Sequence, residues 1–145
     1  RTVIGEIKEA KKGERIGYDF TERLNLNSRI AILPVGYWHG YPRALSSIGH
    51  VLILGQRAKV LGRVSMDMMA VDITDINGSS KLQNPRLRQG FGGQAKSKVK
   101  VGETVTLLGR DGQEEITVEE LAELAGTINY EFITRLNPLV ERVYK

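Results

Sequence analysis

The side chains best suited to chemistry lie in Gly36-Tyr37-Trp38-His39-Gly40-Tyr41-Pro42-Arg43. An apolar run ends there at a glycine, two aromatic residues bracket a turn, and a proline closes it. Two readings compete. In one, Tyr37 and Trp38 cap the end of a β structure, with their polar tips in water. In the other, a strand holds the Tyr37 phenol rigidly where a proton must move, as general acid–base catalysis requires. The residues by themselves leave both open. Elsewhere the sequence completes no known mechanism: it has no Ser/His/Asp set in a recognisable context, no His-rich metal spacing and no phosphate loop. Gly90-Phe91-Gly92-Gly93 follows no convincing strand and opens no helix, which makes it a weak phosphate cradle. His39 and His50 stand alone, and a lone histidine is more often a turn or surface residue than a ligand.

The elements that would position Tyr37 are short and β-branched, and glycine turns separate them. The pattern predicts strands at Val3–Ile7, Arg15–Tyr18, Arg29–Val35, Val51–Leu54, Lys59–Val64, Met68–Ile73, Thr104–Leu108 and Glu114–Thr117. Turns fall at Lys12-Gly13, Gly49, Leu54-Gly55, Val101-Gly102 and Asp111-Gly112. Apolar parity switches within one stretch. Val60, Val64, Met66 and Met68 share one parity, whereas Met69, Val71 and Ile73 take the other, which calls for a bulge near Met68 or a strand buried on both faces. One helix is clearly marked. Thr117-Val118-Glu119-Glu120 has capping-box spacing, Val118, Leu121, Ala122 and Ala125 form a stripe, and Gly126 supplies the stop. Many strands with one short helix predict a mainly β, compact β-barrel-like domain.

A chain of 145 residues suits one domain. Its 41% hydrophobic and 26% charged content is ordinary for a globular protein, and no apolar run reaches membrane-spanning length. The absence of cysteine excludes a disulfide scaffold and a thiolate metal site, and a reducing, cytoplasmic setting is the expectation. The first residue is Arg1, so the chain reads as a fragment of a longer protein. The net charge of +4 and a pI near 9.4 invite a nucleic-acid reading. The segment 77–98, however, carries Lys81, Arg86, Arg88, Lys96 and Lys98 and no acid. Setting those five aside leaves 16 bases against 17 acids. That segment is too polar to offset its ordering entropy and reads as a flexible insertion in the domain that spans 1–145. Charged loops are usually just solvated, which argues against nucleic acid as a partner.

Three motifs, in order, resemble successive signatures of alanine racemase: Gly36-Tyr37-x-x-Gly40-Tyr41-Pro42-Arg43, Gly62-Arg63-Val64-Ser65-Met66-Asp67 and Gly126-Thr127-Ile128-Asn129-Tyr130-Glu131. Gly13–Tyr18, Val99–Glu103 and Arg142-Val143-Tyr144 add lesser matches. On this basis the chain is similar to the C-terminal β-domain of that family. The resemblance implies an N-terminal (β/α)₈ barrel whose lysine binds pyridoxal 5'-phosphate, and a homodimer in which the β-domain of one chain covers the barrel mouth of the other. It implies interconversion of L- and D-alanine for D-alanine and peptidoglycan precursor supply. The barrel lysine would serve one face of the amino-acid substrate and Tyr37 the other. Met66 would hold the substrate carboxylate through its backbone amide, with Asp67 orienting the loop. Arg63 and Ile128 would line the substrate entrance, and Tyr130 would contact the cofactor phosphate.

The sequence departs from the family pattern at Trp38 and His39, which follow the tyrosine, at Ser65, and at Asp19, which stands where a glycine after Tyr18 is usual. Asp19 would be poorly tolerated in a turn of positive φ, so a different local backbone is expected there. A racemase of another amino acid, or a non-catalytic β-barrel binding module with a basic loop, are the alternative functions.

Overall fold

The computed structural model describes residues 1–76, 98–141 and 143. Eleven strands and two helices are present among them: β1 (Thr2–Val3), β2 (Glu6–Ala10), β3 (Arg15–Ile16), β4 (Glu22–Arg23), β5 (Ser28–Leu33), β6 (His50–Ile53), β7 (Gln56–Leu61), β8 (Met69–Asp72), β9 (Thr104–Thr106), β10 (Gly109–Asp111), β11 (Glu114–Ile116), α1 (Val118–Leu124) and α2 (Asn129–Thr134). The insertion expected at 77–98 lies, except for Lys98, outside the described residues.

Seven strands form one antiparallel sheet in the order β1-β9-β6-β7-β8-β5-β2. The first two strands in sequence therefore occupy opposite edges. A two-residue corner joins them: the Ile4 N–H donates to Glu103 O at 3.0 Å, and the next amide, Gly5 N–H, donates to Ile32 O at 2.9 Å. The sheet curls into a half-barrel whose edges meet at that corner. The continuous strand expected at Val3–Ile7 is thus two strands, broken where the chain crosses from one edge to the other.

One face of the sheet holds the main core, including Leu33, Val51, Ile53, Val60, Val71 and Val105. Each such side chain removed from water contributes about 1.5–3 kcal/mol. Ala10, Leu24, Ile30, Leu61 and Ala70 form a second cluster. Adjacent residues of β5 therefore serve different cores, Ala31 and Leu33 the first and Ile30 the second, which explains the unbroken apolar run. At the parity switch near Met68 two features combine. β7 stops at Leu61 and β8 starts at Met69, so no single strand crosses it, and β8 is buried on both faces, as one of the two readings expected, with Met69 and Val71 in the main core and Ala70 in the second cluster.

The β6–β7 hairpin turns through Leu54 and Gly55, both left-handed (φ 51° and 68°), in the two-residue form that matches strand twist. Helix α1 starts as its capping box predicts, with the Thr117 hydroxyl accepting the Glu120 amide at 3.1 Å. It ends in a Schellman motif, with Thr127 N–H on Ala122 O and Gly126 N–H on Glu123 O, Gly126 being left-handed at φ 69°. Leu121 and Ala122 bury its inner face in the main core. The Glu120 carboxylate also takes the Arg57 guanidinium of β7, a contact that fastens the helix to the sheet. A second short helix, α2, follows with Phe132 as its buried anchor. The mainly β, barrel-like class read from the sequence is the class observed.

Candidate active site

Tyr37 opens a single 3-10 turn, Tyr37–His39, directly after β5 and its Pro34-Val35 extension. The turn exists because Gly36 lets two backbones touch. Gly36 is extended (φ −153°, ψ −159°), a shape open to any residue, so what demands glycine is room. A Cβ there would lie 2.1 Å from Ser65 O and 2.5 Å from Met66 O. In the space left by that missing atom, Tyr37 N–H donates to Ser65 O and Trp38 N–H to Met66 O, each at 3.0 Å. His39 completes the turn. Its Nδ1 accepts the Gly36 amide at 3.2 Å, so the neutral ring carries its proton on Nε2. The same ring packs edge-on against Trp38, with centroids 4.9 Å apart at 81°. From the far end of the chain, Asn137 Nδ2 donates to Trp38 O at 2.9 Å. The phenol of Tyr37 is left half-exposed on a backbone fixed from three sides.

Its neighbour in the motif behaves differently. Tyr41 is buried, its hydroxyl donates to the His50 carbonyl at 3.4 Å, and burial pushes its phenol well above the ordinary tyrosine value. Of the two tyrosines, Tyr37 is the one exposed to solvent.

Opposite Tyr37, residues Ser65–Met68 form a tight turn. Ser65 N–H donates to Met68 O at 3.0 Å, the Ser65 hydroxyl to the same oxygen at 2.6 Å, and Met68 N–H returns a bond to Ser65 Oγ at 3.2 Å. The Met66 N–H has no acceptor among the described residues, and Met66 lines an open cavity of about 740 Å³. The bonds that shape this turn come from Ser65; the Asp67 side chain stands exposed beside it. A Ser at the head of a reversal is a recognisable turn signal that the sequence reading passed over.

Upstream, the Glu22 carboxylate accepts the Ser47 hydroxyl at 2.5 Å, the Gly62 amide at 2.8 Å and Lys59 Nζ at 3.3 Å. Burial alone would raise its pKa, but these three partners outweigh it and hold the carboxyl below the usual glutamate value. Ser46 Oγ accepts the Val64 amide at 3.1 Å, so the segment leading into Met66 is fixed by side chains from β4 and from the Ser46 loop.

Tyr37, Arg63, Met66 and Asp67 line the same cavity, together with Arg43. A second hollow of about 320 Å³, bounded by Tyr37, Gly40, Pro42, Arg43 and Arg135, lies beside the Tyr37 turn, so Tyr37 and Arg43 border both. Ile128 and Tyr130 line neither. They sit at the start of α2, 63% and 74% exposed, on surface available to another body. At Tyr18–Phe20, Asp19 and Phe20 are left-handed (φ 62° and 52°). The backbone conformation natural to glycine is therefore present despite Asp19, contrary to the expected local change. Asp19 Oδ2 pairs with Arg63 Nη1 at 2.7 Å. Among the described residues no group of three or more acidic, histidine or cysteine side chains could hold a metal ion.

The family described as alanine racemase, C-terminal domain, matches residues 1–144. The alanine racemase of Halothermothrix orenii is 39% identical over 145 residues, which takes in 100% of this chain and 33% of the relative. That of Clostridium novyi is 40% identical over 144 residues, 99% of this chain and 32% of the relative. Among solved structures, the biosynthetic alanine racemase of Pseudomonas aeruginosa superposes with a TM-score of 0.77 at 30% identity, over 99% of this chain and 34% of that one. Clostridium difficile alanine racemase gives 0.76 at 33% identity, over 99% and 31%. The chain spans about a third of the length of the curated relatives it matches. It belongs to the alanine racemase family, an isomerase family, as that family's C-terminal domain.

Proposed function

We propose that this domain supplies Tyr37 as the acid–base group on one face of an amino acid, alanine by the name its relatives carry, in a racemase completed by an N-terminal barrel and a second subunit. One observation carries the reading. Tyr37, half-exposed on a rigid turn, and Met66, whose amide has no acceptor among the described residues, line the same cavity. The amide suits a substrate carboxylate, since a fixed backbone donor needs no reorganisation to meet an anion. The phenol suits a proton at the adjoining carbon.

The residues present fit pyridoxal phosphate only as a group held mainly elsewhere. No lysine lines either hollow, and Tyr130 is the one residue the family resemblance assigns to the cofactor phosphate. When bound, that cofactor delocalises the charge that builds on the α-carbon as its proton leaves. Tyr37 Oη would take that proton, or return one, on its own face; the Met66 amide would keep the carboxylate from swinging. Tyr18, Phe20, Met66 and Met68 are all large, apolar and exposed around this side, which supports docking of a partner surface over the cavity and exclusion of water from it. The D-alanine formed would supply peptidoglycan precursors.

The test is Tyr37→Phe in the full-length racemase, with Tyr41→Phe as control. Loss of a positioned acid–base group lowers kcat by about 10²–10⁴-fold in both directions, while the buried Tyr41 hydroxyl should not affect turnover. Full-rate racemisation by Tyr37→Phe would remove Tyr37 from the mechanism.

A further inference from the structure

We infer that Asp19 sets the charge of the cavity mouth by neutralising Arg63, and so limits how strongly free carboxylates are drawn in; this rests on the carboxylate-binding reading of the cavity given above. The backbone offers no reason for an acid at this position. Asp19 and the following Phe20 are both left-handed, at φ 62° and 52°, a region a glycine enters freely and a side chain resists. The surrounding contacts hold the loop in that shape. Phe20 N–H donates to Gly17 O at 3.1 Å, and Tyr18 is bridged to Arg63 across the Gly17–Gly62 contact, where a Cβ on Gly17 would come within 2.9 Å of Gly62 Cα. Glycine would keep this geometry without strain. The carboxylate is therefore explained by what it touches, and it touches Arg63 at 2.7 Å.

The stabilising effect of such a pair is small, because both side chains are about half exposed and solvent screens them. Its electrostatic effect falls on the cavity. Arg63 lines the wall with Tyr37 and Met66, and a bare guanidinium there would attract any carboxylate approaching the Met66 amide. Paired with Asp19, it presents a near-neutral dipole. Asp19 thus acts on ligands through Arg63.

The experiment uses the full-length racemase with Asp19→Asn and Asp19→Gly, each alone and combined with Arg63→Gln. Acetate, a minimal carboxylate, is the probe, its affinity read by titration calorimetry and as a competitive Ki at about 20 mM and about 500 mM ionic strength. Both single variants should bind acetate about fivefold more tightly at low ionic strength, with the gain gone at high ionic strength and in the Arg63→Gln background. Asp19→Asn keeps the left-handed preference and Asp19→Gly relieves it, so a purely backbone role would separate the two variants. Unchanged acetate affinity in Asp19→Asn, or a gain that persists without Arg63, would overturn the inference. A protein that shows the charge dependence but does not racemise would refute the catalytic reading and leave this one standing.

Discussion

Replacing Gly36 with alanine isolates the contact on which the site is built. The substitution carries no dihedral penalty, since Gly36 is extended at φ −153°. It adds one methyl group 2.1 Å from Ser65 O and 2.5 Å from Met66 O. Two responses are open to the protein. If the backbones stay, the overlap costs about 1–3 kcal/mol as an overpacked methyl. If they separate until the new carbon reaches an ordinary 3.4 Å contact, the turn moves by about 1 Å. Both backbone bonds, Tyr37 N–H to Ser65 O and Trp38 N–H to Met66 O, then weaken or break, at about 1 kcal/mol each. Either way the cost, about 1–3 kcal/mol, is a sizeable part of a domain's usual 5–15 kcal/mol. A displacement of about 1 Å between the Tyr37 phenol and the Met66 amide also costs about a hundredfold in rate. The assay is urea denaturation paired with kcat on full-length protein. Gly102→Ala serves as the converse control: φ is +85° and nothing lies within 4 Å, so only backbone strain of about 1 kcal/mol is added, at a residue that does not line the cavity. Gly36→Ala with parental stability and parental kcat would refute the claim that this close approach positions Tyr37.

Glu22→Gln should lower stability at neutral pH. Because the Glu22 carboxyl is depressed in the fold, its ionised form favours folding above the usual value of 4.5, and that contribution is lost as pH falls through the folded value. The gap between Glu22→Gln and parent, measured by urea denaturation, should therefore narrow on acidification; a gap that stays constant from pH 7 to pH 3 would contradict the assignment. His39→Ala should cost about 1 kcal/mol by stranding the Gly36 amide, and His39→Asp, which restores an acceptor, should recover most of it. Equal melting temperatures for the alanine and aspartate variants would show that the histidine nitrogen does not hold the turn.

Where a feature rests on neighbours in sequence, it was legible beforehand. The Thr117 cap, the Gly126 stop and the Leu54-Gly55 turn are all local, and each appears where its residue types place it. The Tyr37 turn was also recognisable as an unusual cluster. What could not be read was the reason it holds, because Gly36 faces Ser65 and Met66, some thirty residues away, and a glycine needed for space looks like any other. The Glu22 node draws its partners from Ser47, Lys59 and Gly62, and Asp19 finds Arg63 44 positions on, so no local pattern marks either. Helix α2 escaped for a different reason. Its six residues bury only Phe132, too short a stripe for a helical period to emerge. Asp19 misled because glycine is the commoner answer to a left-handed turn, although a short polar residue with a distant counter-ion can also occupy one.

The corner at Ile4-Gly5 has a bearing on how the domain comes into being. Thr2 and Val3 find their hydrogen-bonding neighbours in Val105 and Thr104, so this strand, once synthesised, waits for one made about a hundred residues later. Until then both margins of the growing sheet stay open, and such distant pairing makes assembly slow. The entropy of bringing those margins together rises only with the logarithm of the intervening length, about 0.6 kcal/mol for each doubling. The stretch between β8 and β9 can therefore lengthen over evolutionary time with little effect on whether the half-barrel closes.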